Sequence, residues 1–165
     1  MDIDELIRTK RAIRRFTDEP VADEDLTAIL EAGRRAQSSK NTQPWTFIAV
    51  RDREALRQLS ETGTYAGHLA GATVAVVLVA DHATAEFDIG QAAANMQLAA
   101  HARGIGSCIA TIYEPARARE ILGVPSDRAI HYALSFGWPL PEERDRPLRK
   151  GGRRPLEEIV RLERW

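Results

Sequence analysis

The stretch from Phe87 to Arg103 is apolar on almost every face, because Ala92, Ala93, Ala94, Met96, Leu98, Ala99, Ala100 and Ala102 leave little polar surface. A helix that is apolar all round must be buried on nearly all sides. This one is too short, and too interrupted by Gln91, Asn95, Gln97 and His101, to cross a bilayer. Its alanines permit close approach of another helix. A chain of 165 residues has little interior in which to bury it completely, so the helix is expected to lie partly in a subunit interface. Gly104 is placed to end it as a left-handed cap, and Ser107 to Tyr113 reads as a strand.

Other periods fill in the rest of the chain. Asp2 with Glu5 forms a capping pair ahead of Ile3, Leu6 and Ile7, so a first helix runs to about Thr9. Lys10 to Phe16 is too basic for a core strand. Leu26, Ile29, Leu30, Gly33 and Ala36 recur at helical spacing after Pro20 and Asp23. A polar loop over 37–44 leads to a strand at Trp45–Val50, and Asp52 caps a third helix carrying Leu56 and Leu59. Residues 61–71 read as loop with at most a short helical turn. Thr73 to Ala80 is the most apolar run and the best central strand. Pro115 and Gly123 bracket another helix, Ala129–Phe136 is a strand, and 137–154 reads as a long surface arm. Pro155–Val160 suits a short helix or an edge strand. Strands and helices mix without strict alternation, which favours α+β over a doubly wound sheet, in one domain over 1–165.

Charge and composition narrow the function by exclusion. The formal net charge is −1, with 23 Lys and Arg against 24 Asp and Glu, which gives no electrostatic case for nucleic acid or an anionic membrane. One cysteine, Cys108, provides neither a disulfide framework nor a zinc cluster, and in an apolar strand it is an inert core residue. The N-terminal MDIDELI carries no signal-like run, so a cytoplasmic protein is expected. His68, His82, His101 and His131 have no ligand spacing, so no metal is expected. No phosphate-binding glycine loop and no nucleophile elbow occurs. No side chain is assigned as acid, base or nucleophile, so any reactivity would come from a cofactor. Lys10, Arg11, Arg14 and Arg15 lie in one loop, and Lys150, Arg153 and Arg154 in another. Such forks suit phosphate oxygens. Ser38-Ser39-Lys40-Asn41 offers short donors and acceptors for a polyhydroxyl chain or a heterocycle edge. Together they fit a phosphorylated, planar, hydrogen-bonding cofactor.

At this point the chain resembles the flavin-dependent nitroreductases. Lys10-Arg11-Ala12-Ile13-Arg14-Arg15-Phe16 is similar to the family's Arg-Arg-Ser-x-Arg-x-Phe start. Gln37-Ser38-Ser39-Lys40-Asn41-Thr42-Gln43-Pro44-Trp45 is similar to Pro-Ser-Ser-x-Asn-x-Gln-Pro-Trp. Asp88-Ile89-Gly90-Gln91-Ala92 and then Gly104-Ile105-Gly106-Ser107-Cys108 resemble the family's central helix and the strand after it. Arg153-Arg154-Pro155-Leu156-Glu157-Glu158 matches the late Arg-x-Pro-Leu-Glu-Glu pattern.

The resemblance implies a mainly antiparallel sheet flanked by helices in an intertwined homodimer, with FMN at the subunit interface. It implies that Arg11 and Arg153 grip the FMN phosphate, with Lys10, Lys150 and Arg154 as helpers, and that Arg14 lies at the pyrimidine end of the flavin. Ser38, Ser39 and Asn41 would reach the flavin from the other subunit, and backbone around Thr111 and Ile112 would face the ring. The implied activity is hydride transfer from NADH or NADPH through FMN to a nitroaromatic, quinone or similar acceptor. Rival readings are a flavin-storage or sensing protein without turnover, a flavin-fragmenting or dehalogenating member of the same fold, and an arginine-rich nucleic-acid binder. Ala12, Gln37 and Thr111 depart from the family pattern, where serine, proline and, in many relatives, glycine stand.

Overall fold

A computed structural model of the chain describes residues 2–144 and 152–165. Local chemistry sets most element ends. Helix α1 (Ile3–Thr9) starts where Asp2 Oδ1 accepts the Glu5 amide at 2.8 Å. Helix α2 (Asp23–Arg34) buries Leu26, Ile29 and Gly33. Strand β1 (Trp45–Val50) leads to α3 (Arg53–Ser60), capped by Asp52, which accepts the Ala55 amide at 2.8 Å. A single 3-10 turn at Gly67–Leu69 precedes β2 (Val74–Ala80). Helix α4 (Glu86–Ala102) ends before Gly104, whose φ of +76° is the left-handed cap that its sequence position calls for. Strand β3 (Gly106–Thr111), α5 (Pro115–Leu122), β4 (Ala129–Gly137), α6 (Pro141–Arg144) and α7 (Leu156–Ile159) complete the order.

The four strands form one sheet in the order β1-β2-β4-β3, and every pairing is antiparallel. Strand β2 is inside the sheet, and all seven of its residues are buried. Successive side chains point to opposite faces, so a strand covered on both sides reads as an unbroken apolar run. One face packs Val74, Val76, Leu78, Leu134 and Phe136 with Leu26 and Ile29 of α2 and Ile89, Ala93 and Met96 of α4. The other packs Ala75, Val77, Val79, Ala110 and Ala133 with Leu56 and Leu59 of α3, with Leu69 of the 3-10 turn and with Ala118 of α5.

Helix α4 finds its close neighbour within the chain. A Cβ on Gly33 of α2 would lie 2.2 Å from Met96 Cε, so the glycine is what lets the two helices close. The opposite side of α4 stays open: Phe87, Gly90 and Ala94 are exposed, at the spacing of one helical face.

Three stretches add to or differ from the sequence reading. The basic loop 10–16 does pair with the sheet, through a parallel bridge from Ala12 to Ser107 and an antiparallel one from Phe16 to Pro139. Ile13 and Phe16 turn inward onto Ala72 while the cations stay outside, which is how a basic segment contributes to a core. Strand β3 stops at Thr111, two residues short of Tyr113. There the Tyr113 and Glu114 amides leave the ladder and both bond to the Thr62 carbonyl, at 2.8 and 3.0 Å. In the 137–154 arm, Pro141–Arg144 is helical, and the 155–160 segment resolves as helix rather than strand.

Candidate functional site

The edge of β3 gathers the N-terminal cations. Pairing of Ala12 with Ser107, reinforced by the Ile13 amide on the Ser107 carbonyl at 2.9 Å, holds loop 10–16 along that edge. The backbone amide of Arg14 donates to the buried Glu143 carboxylate at 3.2 Å, fixing the loop against α6. Lys10 is half-buried, and desolvation lowers its pKa, with Cys108 acting to raise it and nearby Arg153 to lower it further. Arg153 thus belongs to the same electrostatic neighbourhood as Lys10. Arg11 and Arg154 are exposed. Lys150 lies outside the described residues.

A cavity of about 590 Å³ opens beside this loop, lined among others by Lys10, Arg11, Ser107, His101, Trp138 and Arg144. The Trp138 indole nitrogen is buried with no hydrogen-bond partner among the described residues. A buried donor without a partner is uncommon in a folded protein. Here it lies in the wall of a cavity ringed by cations. That set of groups suits an anionic, oxygen-rich ligand.

Ser38, Ser39 and Asn41 lie elsewhere. They precede β1, the opposite edge strand, three strand spacings or about 14 Å from β3. Their loop is tightly bent: Lys40, Asn41 and Gln43 all have positive φ, of 51°, 56° and 50°. Non-glycine residues seldom adopt that region. Ser38 Oγ accepts the Gln43 amide at 2.9 Å, and the Ser39 amide donates to Asp88 of α4 at 3.2 Å. One chain therefore brings Lys10, Arg11, Arg14 and Arg153 to one edge and the serine loop to the other.

Thr111 and Ile112 stand at the far end of β3, with Thr111 exposed and Ile112 buried. Ser107 and Thr111 are four residues apart on an extended strand, about 13 Å, so the edge is long enough to separate a phosphate grip from a ring-facing end. The Ile112 amide already donates to the His131 carbonyl at 2.8 Å. Between them Ile109 leaves an apolar side chain 44% exposed on the same edge.

Several buried polar contacts behind β3 were not singled out from sequence. His68, in the turn at Gly67–Leu69, places Nδ1 2.8 Å from Ser135 Oγ on β4. Ser135 in turn donates to the Cys108 carbonyl at 3.3 Å. His68 Nε2 is buried without a partner. Burial lowers the His68 pKa and the Arg14 guanidinium lowers it further, while the Ile109 carbonyl favours the protonated ring without meeting hydrogen-bond geometry. Burial also raises the Cys108 thiol pKa, more than Arg14 and Lys10 lower it, in keeping with an inert core thiol. His101 pairs Nε2 with Thr9 Oγ1 at 2.8 Å. No cluster of three or more metal-binding side chains occurs among the described residues.

Many known proteins are similar to this chain in sequence or in fold. The model of the nitroreductase family matches residues 7–64 and 61–138. An Archaeoglobus fulgidus protein, provisionally named NADH dehydrogenase/NAD(P)H nitroreductase, is 38% identical over 149 residues, covering 84% of this chain and 86% of its own length. The solved FMN-dependent nitroreductase of Clostridium difficile R20291 has the same fold, with a TM-score of 0.85 at 29% identity over 99% of this chain and 100% of that one. The NADPH:FMN oxidoreductase of Vibrio harveyi, solved with NAD+, gives 0.86 at 25% identity over 98% of this chain and 77% of its own.

Proposed function

Because the chain belongs to the nitroreductase family, we propose that it is an FMN-dependent oxidoreductase that carries hydride from NADH or NADPH to a nitroaromatic, quinone or similar acceptor. The observation that supports this most is the cation-ringed cavity on the β3 edge with the orphaned Trp138 indole in its wall. Its donor set fits a phosphorylated flavin. When bound, FMN supplies the two-electron carrier that this chain's side chains lack.

The residues then divide the work. Arg11 and Arg153 bind the phosphate, helped by Lys10, Arg154 and, outside the described residues, Lys150. The lowered pKa of Lys10 reflects burial and crowding by Arg153, and an incoming phosphate relieves the crowding. Arg14 faces the pyrimidine end, where a fixed cation stabilises charge that develops on reduction. Backbone at Thr111 and Ile112 borders the ring. Ser38, Ser39 and Asn41 reach the flavin from a second subunit, because their own β1 edge is remote from the cavity.

Unburied apolar surface supports the dimer. Phe87 is 79% exposed on α4, and Leu156, Ile159, Val160, Leu162 and Trp165 are all exposed at the C-terminal end. Large apolar side chains this exposed mark a surface that another chain can cover. No described helix is long and apolar enough to cross a membrane, and a cytoplasmic, single-domain homodimer is the proposed form. The test is purification followed by spectroscopy and turnover. A yellow protein with flavin bands that oxidises NADH or NADPH when an acceptor is added supports the reading. A colourless protein overturns it, and a flavin-loaded protein that turns over no donor–acceptor pair leaves the storage or sensing role.

A further inference from the structure

We infer that Arg144 is a further phosphate-binding residue of the β3-edge cavity, and that the buried Glu143 beside it is the positioning residue that holds it there. This rests on the FMN reading above.

Residues 14–17 of the cation loop and residues 138–143 are fastened together along their length. The Thr17 amide donates to the Trp138 carbonyl at 2.8 Å, and the Leu140 amide to the Arg15 carbonyl at 3.2 Å. Phe16 and Pro139 form the antiparallel bridge between these bonds. Arg15 pairs with Glu142 at 2.9 Å, but both side chains are more than half exposed, so that ion pair adds little. Glu143 differs, being only 4% exposed. A buried carboxylate is costly unless hydrogen bonds compensate it, so packing alone does not account for a glutamate here. Its bond from the Arg14 amide, at 3.2 Å, does. Because the donor is backbone, the bond fixes where the loop lies against α6 whatever side chain stands at 14.

This clamp sets two walls of the cavity against each other. Lys10, Arg11 and Ser107 line one side, and Trp138, Pro139 and Arg144 come from the clamped segment. Arg144 brings the charge. Among the described residues it has no hydrogen-bond or ion-pair partner. The two carboxylates before it are engaged elsewhere, Glu142 with Arg15 and Glu143 with the Arg14 amide. A guanidinium that no carboxylate holds, in a wall that also carries an unpartnered indole N–H, presents its paired donors to the cavity. A phosphate monoester carries roughly 1.5 to 2 negative charges near neutral pH, so it favours several convergent cations over one. Glu143 acts on this ligand only through Arg144 and the loop, by keeping both walls at the spacing that lets their donors meet on one phosphate.

The test uses the full-length protein with FMN and with riboflavin, which lacks the phosphate. Arg144→Ala should weaken FMN by about tenfold or more, the size of a lost hydrogen bond to a charged group, and leave riboflavin unchanged. Glu143→Ala should weaken FMN selectively as well. Glu143→Gln keeps an oxygen acceptor for the Arg14 amide and should restore FMN binding. The two alanine substitutions together should cost less than the product of their separate effects, as expected of residues that act as a unit. An Arg144→Ala protein with unchanged FMN affinity, or with equal losses for both flavins, overturns the inference. Additive losses, or a Glu143→Ala protein that loses both flavins equally, overturn the positioning role and leave Glu143 a stability residue. Wild type supplies an arm that needs no variant. By reciprocity of linkage, FMN should slow hydrogen exchange of the Arg14 amide more than riboflavin does, and equal protection overturns the coupling. A wild type that binds neither flavin overturns the flavin reading and this inference together. A yellow, active protein indifferent to Arg144 overturns this inference alone.

Discussion

Gly63 sits against Thr111 so closely that a Cβ on it would lie 2.2 Å from the Thr111 carbonyl oxygen. The obstacle is backbone, at the end of the strand that borders the proposed ring site, and it cannot rotate away as a side chain would. Gly63→Ala should therefore push loop 61–66 and the end of β3 apart. Overpacking of this kind costs about 1–3 kcal/mol. A lowered unfolding midpoint together with weaker FMN binding is the expected result. An unchanged protein would mean that the two segments are not in contact in solution.

Arg11→Ala addresses the phosphate grip. FMN and riboflavin differ only in the phosphate, so the substitution should weaken FMN by about 1.5–3 kcal/mol, the range for hydrogen bonds to a charged group, and leave riboflavin nearly untouched. Titration of the apoprotein with each flavin measures both. Equal losses would move Arg11 away from the phosphate.

The open face of α4 predicts assembly. Ala94 is exposed beside Phe87 and Gly90, and a Cβ on Gly90 meets nothing within 4 Å. Within one chain a glutamate at 94 has room and water. Inside a dimer interface the same carboxylate would be buried without a partner, which is costly. Sedimentation at micromolar concentration should give a dimer for wild type and a shift to monomer, with loss of flavin, for Ala94→Glu. Folded helix content should be retained. A variant that remains a flavin-loaded dimer would place the interface elsewhere.

The acid side of the stability profile should be set in part by His68 and His101. Burial lowers both pKa values below the ordinary 6.5, with Arg14 assisting at His68 and Lys10 at His101. In this case the unfolded chain binds more protons than the folded one as pH falls below about 6.5. Stability from these groups is therefore complete above that value and is lost as pH drops through the folded values. Urea midpoints of the apoprotein at pH 7.5, 6.5 and 5.5 should decline in that order. The decline should be shallower in His68→Gln. An equally steep decline in the variant would assign the acid sensitivity to other groups.

Sequence alone determined what depends on neighbours a few residues away. Asp2 and Asp52 announce their helices, and Gly104 and Gly123 end theirs at positive φ, because caps are local chemistry. The continuous apolar run of β2 follows from burial on both faces, and the Lys10–Phe16 and Gln37–Trp45 motifs mark the two halves of the proposed site. Tertiary structure decided how those halves are separated, since only the strand order β1-β2-β4-β3 places the serine loop and the arginine loop on opposite edges. It also decided His68, Glu143 and Trp138. His68 meets Ser135 across 67 residues and Arg14 meets Glu143 across 129, so no periodicity or spacing in the chain could pair them. Trp138 shows its unpartnered indole only when α1, the end of α4 and the start of β3 close around it. A buried polar atom acquires its meaning from the groups that exclude water from it, and those are set by packing rather than by local sequence.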